Sequence, residues 1–254
     1  MTTLAVPGAT ITHDVIGSGP VLVLVPGGPA DAAVFTHIRP LLAETHTVVT
    51  YDPRGLGRSP LDGDPGDDII REHADDVHRL LAEVGPADVF ASSGGAITML
   101  DHVRRHPGDV RTVVLHEPPV SRYLPAGALD GPDIPALFRD HGLGAAFPAF
   151  MALVGVDPAP PLDPRGEGNF TYFFRHLMAA TGAYEPDLDA LRATSARLVV
   201  AVGEKSAGAT AHETGLGLAT GLGLTAVEFP GDHGGFATEP EAFAARLREV
   251  LEGR

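Results

Sequence analysis

The chain contains no cysteine. Thiol nucleophiles, thiolate-bound zinc and disulfide stapling are therefore excluded together, and the redox compartment stays open. Positive charge is scarce: 18 Lys and Arg stand against 33 Asp and Glu, a formal net charge of −15. That balance argues against nucleic acid or an anionic membrane as the main partner, because both are polyanions. Long hydrophobic runs are missing as well. A stretch such as Val21 to Val25 is far too short to cross a bilayer, and the N-terminal MTTLAVPGATITHDV has neither a basic n-region nor an apolar h-region. The expectation is a cytoplasmic protein whose partner is a small molecule.

What is present is core-forming material. The 254 residues are 44% hydrophobic, which excludes a disordered chain. At roughly 150 residues per domain, the length suits one large domain or a core with an insertion. VLVLV at 21–25 is a continuous apolar run stopped by Pro26-Gly27-Gly28-Pro29, the pattern of a strand buried on both faces. Helix is expected over 31–44, 67–84, 94–106, 209–222 and 238–252, alternating with strand over 45–52, 87–92, 111–117, 196–203 and 225–230. Such alternation implies an α/β fold with a mostly parallel central sheet flanked by helices. Between Pro118 and Asp189 the alternation stops, and eleven prolines accompany clustered aromatics that include Phe138, Phe147, Phe150, Phe170, Tyr172, Phe173 and Phe174. The expected organisation is a core of residues 1–117 and 190–254 with a helical cap inserted at 118–189.

Ligands of an open parallel sheet sit beyond the carboxyl ends of its strands, so the residues just after each strand matter most. After 87–92 comes Ala91-Ser92-Ser93-Gly94-Gly95, a small-x-Ser-x-Gly version of the nucleophile elbow, in which a sharp turn exposes Ser93 at a helix N-terminus. A plain N-capping serine is the alternative. After 21–25, the amide of Gly28 can approach an oxyanion because no side chain intervenes, and the Gly94 amide would be its companion. His233, in the glycine-flanked loop Gly231-Asp232-His233-Gly234-Gly235, can reach a serine across the sheet. His102 and His106, spaced i, i+4 without a partnering carboxylate motif, are expected at the surface, as are His73 and His78.

VLVLVPGGPAD, VVTYDPRGLGRS, VFASSGGAITML, RTVVLHEPP, LVVAVGE and FPGDHGGF follow one another in an order that resembles the α/β-hydrolase fold family. The resemblance implies Ser93 as nucleophile, His233 as general base and the amides of Gly28 and Gly94 as oxyanion hole, with no metal or organic cofactor. Arg54 and Ser59 in the YDPRGLGRS stretch look structural. The chain departs from the family where an Asp is usual, a few residues past the seventh strand: here Gly203-Glu204-Lys205 is followed by Ser206. Three carboxylates remain. Glu117 ends the 111–117 strand on the same sheet edge and is the preferred acid; Glu204 and Asp232 are the others. His116 is expected on the face opposite Glu117, because strand side chains alternate. The activity implied is hydrolysis of a small or medium apolar carboxylic ester, lactone or thioester through an acyl-enzyme. C–C bond hydrolysis, cofactor-free proton abstraction and non-catalytic binding of a small molecule stay open. A serine at position 93 argues against epoxide and haloalkane chemistry, which require a carboxylate nucleophile.

Overall fold

The computed structural model of the protein describes residues 1–124, 127, 131–154, 159 and 161–253. Of the insertion expected over 118–189, residues 125, 126, 128–130, 155–158 and 160 lie outside the described residues, as does residue 254 of the expected core. Among the described residues, eight strands form one sheet: β1 (Thr2–Val6), β2 (Ala9–Ile16), β3 (Val21–Val25), β4 (Thr47–Asp52), β5 (Ala87–Ser92), β6 (Val110–His116), β7 (Arg197–Gly203) and β8 (Val227–Phe229). Their spatial order is β1-β2-β4-β3-β5-β6-β7-β8. From β4 to β8 neighbouring strands pair in parallel, whereas β1 and β2 are antiparallel to each other and β2 is antiparallel to β4. This is the mostly parallel sheet expected from the alternation.

The β1–β2 hairpin was not legible as strand. Its outer residues are polar and exposed, so it lacks the apolar run that marks the buried strands. Gly8, at φ 77°, makes the turn that reverses it.

The helices are α1 (Ile38–Leu42), α2 (Ile69–Val84), α3 (Gly94–Arg105), α4 (Ile134–His141), α5 (Leu143–Leu153), α6 (Pro164–Tyr172), α7 (Met178–Ala183), α8 (Leu188–Arg192), α9 (Thr210–Leu222), α10 (Gly235–Thr238) and α11 (Pro240–Leu251). A π-helical turn, Phe173–Leu177, joins α6 to α7. The single helix expected over 31–44 is instead a 3₁₀ turn at Ala32–Phe35 followed by the short α1. Pro40 accounts for the break, since it has no N–H to offer the carbonyl one turn earlier. No helix among the described residues is long and apolar enough to cross a membrane.

Successive residues of the central strands feed two cores. Val23, Val25, Val89, Ala91, Val113 and Leu115 pack towards α2 and α3. Leu22, Leu24, Phe90 and Val114 pack towards Phe35, Ile38, Phe243 and Leu247 on the other face. Burial on both faces explains why the strands read as unbroken apolar runs rather than alternating ones.

His73 and His102 are not at the surface as expected: they are 6% and 0% exposed. The stripe of apolar residues marks where α2 and α3 meet the sheet, but the two helices also pack on each other, which widens the buried arc. His102 Nδ1 lies 3.3 Å from the Ala74 carbonyl of α2. His78 and His106 are half-buried, and both lie near a carboxylate, Asp109 for the first and Asp75 for the second.

Candidate active site

Ser93 sits between β5 and α3 with φ 53° and ψ −122°, outside the regions an L-residue normally occupies. Its amide donates to the His116 carbonyl of β6 at 2.8 Å, and its own carbonyl accepts from Ala96 at 2.9 Å. The backbone on both sides therefore holds the strained turn. An N-cap serine would have extended backbone and would bond an amide of the first turn. Ser93 does neither; its side chain makes no cap hydrogen bond. The hydroxyl is left partly exposed and unpaired at the mouth of the sheet.

The turn demands small neighbours. A Cβ on Gly95 would stand 2.4 Å from the Pro26 carbonyl oxygen, and one on Gly27 would stand 2.2 Å from that of Ser92. The loop after β3 thus lies directly against the elbow. A Cβ on Gly94 would fall 2.9 Å from the Gly28 nitrogen, so the two amides named from the sequence are adjacent. As the first residue of α3, Gly94 has no intrahelical acceptor for its N–H. The Gly28 amide also enters no hydrogen bond among those of the loops. Two adjacent free N–H groups at a helix N-terminus are suited to a developing oxyanion.

Glu117, the residue after β6, is fully buried and has φ 48°. Ser93 and Glu117 are the two non-glycine residues with positive φ among those described. Strain of this kind persists where surrounding contacts over-determine it. Around Glu117 those contacts are dense. His233 Nδ1 lies 2.6 Å from Oε2, the Gly203 amide donates to Oε1 at 2.9 Å, and the Ser206 hydroxyl also donates to Oε1. Burial pushes the Glu117 carboxyl up, but the hydrogen bond from His233, the charge His116 gains at low pH and the hydrogen bonds from Ser206 and Gly203 outweigh it and bring the pKa down to about 2. His116 contributes no charge there at neutral pH, because burial pushes its own pKa down to about 3. Its ring packs among Phe90, Phe229 and Phe243 on the face where it was expected.

The carboxylate can only accept, so the proton of the His233 ring lies on Nδ1 and Nε2 keeps a free lone pair. Glu204 and Asp232 do not compete for that ring. Glu204 is exposed, and Asp232 accepts from the Gly234 amide at 2.9 Å, bracing its own loop. Ser206 is the site residue whose role the sequence hid.

A family model described as alpha/beta hydrolase fold matches residues 20–171. The chain belongs to the alpha/beta hydrolase fold family. It is 36% identical over 260 residues to the uncharacterized hydrolase YraK of Bacillus subtilis (strain 168), across 98% of this chain and 95% of that protein. Among solved structures it is similar to a hydrolase from Pseudomonas aeruginosa PA01, with TM-score 0.78 and 23% identity over 98% of this chain and 97% of that one. It is also similar to a malate-bound thermophilic esterase from Thermogutta terrifontis, with TM-score 0.75 and 20% identity over 99% of this chain and 97% of that one. Identities at that level speak for the shared fold.

In this alpha/beta hydrolase fold protein, the helices between β6 and β7 meet the core near Gly28. The Phe173 ring lies 3.8 Å from where a Gly28 Cβ would be, and Tyr172 lies against Gly55. Asp31, after β3, accepts from Arg165 Nε at 2.6 Å and Asn169 Nδ2 at 2.8 Å, and Asn169 Oδ1 accepts from the Gly57 amide at 2.9 Å. These contacts pin α6 to the loops after β3 and β4. A cavity of about 20 Å³ borders Gly28, Gly94, Thr98, His73 and Leu177. Arg54 donates to both oxygens of buried Asp76 at 2.7 Å and to Glu72 at 2.6 Å, and Ser59 donates to the Asp52 carbonyl at 2.6 Å; neither lies at the elbow.

Proposed function

We propose that this hydrolase cleaves a small or medium apolar carboxylic ester, lactone or thioester, with Ser93 as nucleophile, His233 as general base and Glu117 as the acid. The observation that carries the reading is the 2.6 Å contact between His233 Nδ1 and a buried, ionised Glu117, which leaves the other ring nitrogen basic. In this mechanism His233 Nε2 takes the hydroxyl proton of Ser93 as its oxygen attacks the carbonyl carbon. The oxyanion is held by the amides of Gly28 and Gly94, whose charge stabilisation needs no reorganisation. His233 then returns the proton to the leaving alcohol or thiol, and water repeats the cycle on the acyl-enzyme. Glu117 fixes the tautomer and stabilises the imidazolium without itself being protonated.

The substrate range follows from the surroundings. The segment 118–189 acts as a cap whose Phe173 covers the Gly28 side of the site, so the acyl group is short and apolar. The acidic chain favours a neutral substrate over a polyanion or an anionic membrane surface. The test is a pre-steady-state series of p-nitrophenyl esters of increasing acyl length. A burst of one nitrophenolate per chain, with the matching acyl mass on Ser93 and a fall in rate for long acyl groups, supports the reading. Wild-type turnover that survives in Ser93→Ala overturns the covalent mechanism.

A further inference from the structure

A second polar cluster lies at the opposite end of α3 from Ser93. Ser93 precedes the helix and His106 follows it, so at 1.5 Å per residue the two are roughly 20 Å apart. His102 and His106 come from α3, His78 from α2, and Asp109 from the turn that leads into β6. One ligand atom from each of His78, His106 and Asp109 lies within 4.8 Å of the others. His78 Nδ1 stands 2.6 Å from Asp109 Oδ2, and His102 Nε2 faces the same oxygen at 3.5 Å. The His78 and His106 rings stack with centroids 3.9 Å apart.

Hydrogen bonding within the cluster does not account for it. His102 is fully buried, and its Nδ1 can approach the Ala74 carbonyl only as a donor. Its Nε2 is then a bare lone pair facing a carboxylate oxygen, two acceptors with no proton between them. His106 Nε2 is likewise buried without a hydrogen-bond partner.

We propose that His78, His106 and Asp109 bind one Zn²⁺ ion, with a water as the fourth ligand. Two imidazoles and a carboxylate suit zinc, whereas Mg²⁺ and Ca²⁺ take oxygen ligands. With metal–ligand bonds of about 2.1 Å, tetrahedral donors stand roughly 3.4 Å apart, so closure needs the stacked His78 and His106 rings to rotate out of parallel and the ion to insert into the His78–Asp109 contact. The distance from Ser93 makes the ion a structural clamp. It ties α2 and the β6 turn to the end of α3, the helix whose N-terminus carries the Ser93 elbow.

The experiment is calorimetric titration of the tag-free, chelator-stripped full chain with Zn²⁺ and Mg²⁺, together with its thermal midpoint and the visible spectrum of the Co²⁺ form. Expected are one Zn²⁺ per chain, a raised midpoint, a tetrahedral Co²⁺ spectrum and no response to Mg²⁺. His106→Ala and His78→Ala, each confirmed folded, bind about a hundredfold more weakly or worse, while the exposed-site control His141→Ala is unchanged. Absence of saturable Zn²⁺ binding by folded wild type overturns the proposal. So does wild-type affinity in both His106→Ala and His78→Ala.

Discussion

The Ser206 hydroxyl donates a hydrogen bond to Glu117 Oε1, so the two positions from which an acid can reach His233 touch each other. One carries the carboxylate and the other a donor that steadies it. On the proposed mechanism a serine after the seventh strand is compatible with a working acid, because the carboxylate stands at the end of β6 and Ser206 holds it there. In Ser206→Ala this charge-assisted bond is lost and Glu117 loses roughly 1.5–3 kcal/mol of stabilisation. Chemical denaturation should show that loss, with ester turnover reduced less than in Glu117→Gln.

Exchanging the two positions tests the coupling further. Ser206→Asp alone places a second carboxylate against the first, and is expected to destabilise the protein strongly by like-charge repulsion in a buried site. Combined with Glu117→Gln the new Asp is the lone acid beside His233. The double variant should recover at least about tenfold of the turnover lost in Glu117→Gln, a loss expected near 10⁴. Steady-state turnover of the four proteins checks this.

Acid should unfold the protein through its buried histidines. Burial pushes His73 and His116 down to about 3 from the ordinary 6.5, so the unfolded chain binds two protons that the native chain refuses. The stability tied to them is fully present above pH 6.5 and is lost as pH falls from there towards 3. With two sites the loss between pH 7 and pH 5 comes to about 4 kcal/mol. Glu117 acts in the same direction lower down: its contribution is present above 4.5 and fades as pH falls towards 2. Urea midpoints measured at intervals across this range should decline steadily; a flat profile contradicts the burial of neutral rings.

The elbow tolerates no side chain at position 95. In Gly95→Ala the new methyl meets the Pro26 carbonyl at 2.4 Å, and that backbone cannot withdraw without shifting Gly28. The expected penalty is about 1–3 kcal/mol, with a loss of turnover beyond what the shift in thermal midpoint explains. Thermal midpoint and ester turnover measured on the same preparation separate the two effects.

Arg54 supplies a contrast away from the site. Its removal in Arg54→Met leaves buried Asp76 only the longer 3.8 Å contact with Arg79, at an expected cost of about 3 kcal/mol. The protein that remains folded should turn over esters at the wild-type rate, because neither residue touches the elbow.

The legibility of this molecule from its sequence follows from the range of each signal. The elbow and the glycine loop are local: Ser93, Gly94 and Gly28 are marked by neighbours that the turns require. The parallel strands are legible because the faces of the central ones are buried and each carries an apolar run. Glu117 was one of three carboxylates until its contact with His233, 116 positions away in the chain, distinguished it. Ser206 read as a departure from the family because its partner belongs to another strand. His73 and His102 were misplaced since a helix examined alone does not show the helix packed against it. The β1–β2 hairpin escaped notice because an edge ribbon with polar outer residues carries no apolar run.

Hydrolysis by the proposed mechanism requires Ser93 to be a nucleophile activated through His233 and Glu117. Intact-mass labelling of wild type, Ser93→Ala and Glu117→Gln with a fluorophosphonate tests this in one experiment. The predicted result is a single adduct on wild type, none on Ser93→Ala and labelling of Glu117→Gln slowed by several orders of magnitude. Rapid labelling of Glu117→Gln would contradict the assignment of the acid, and a folded wild type that takes no adduct would contradict the serine mechanism itself.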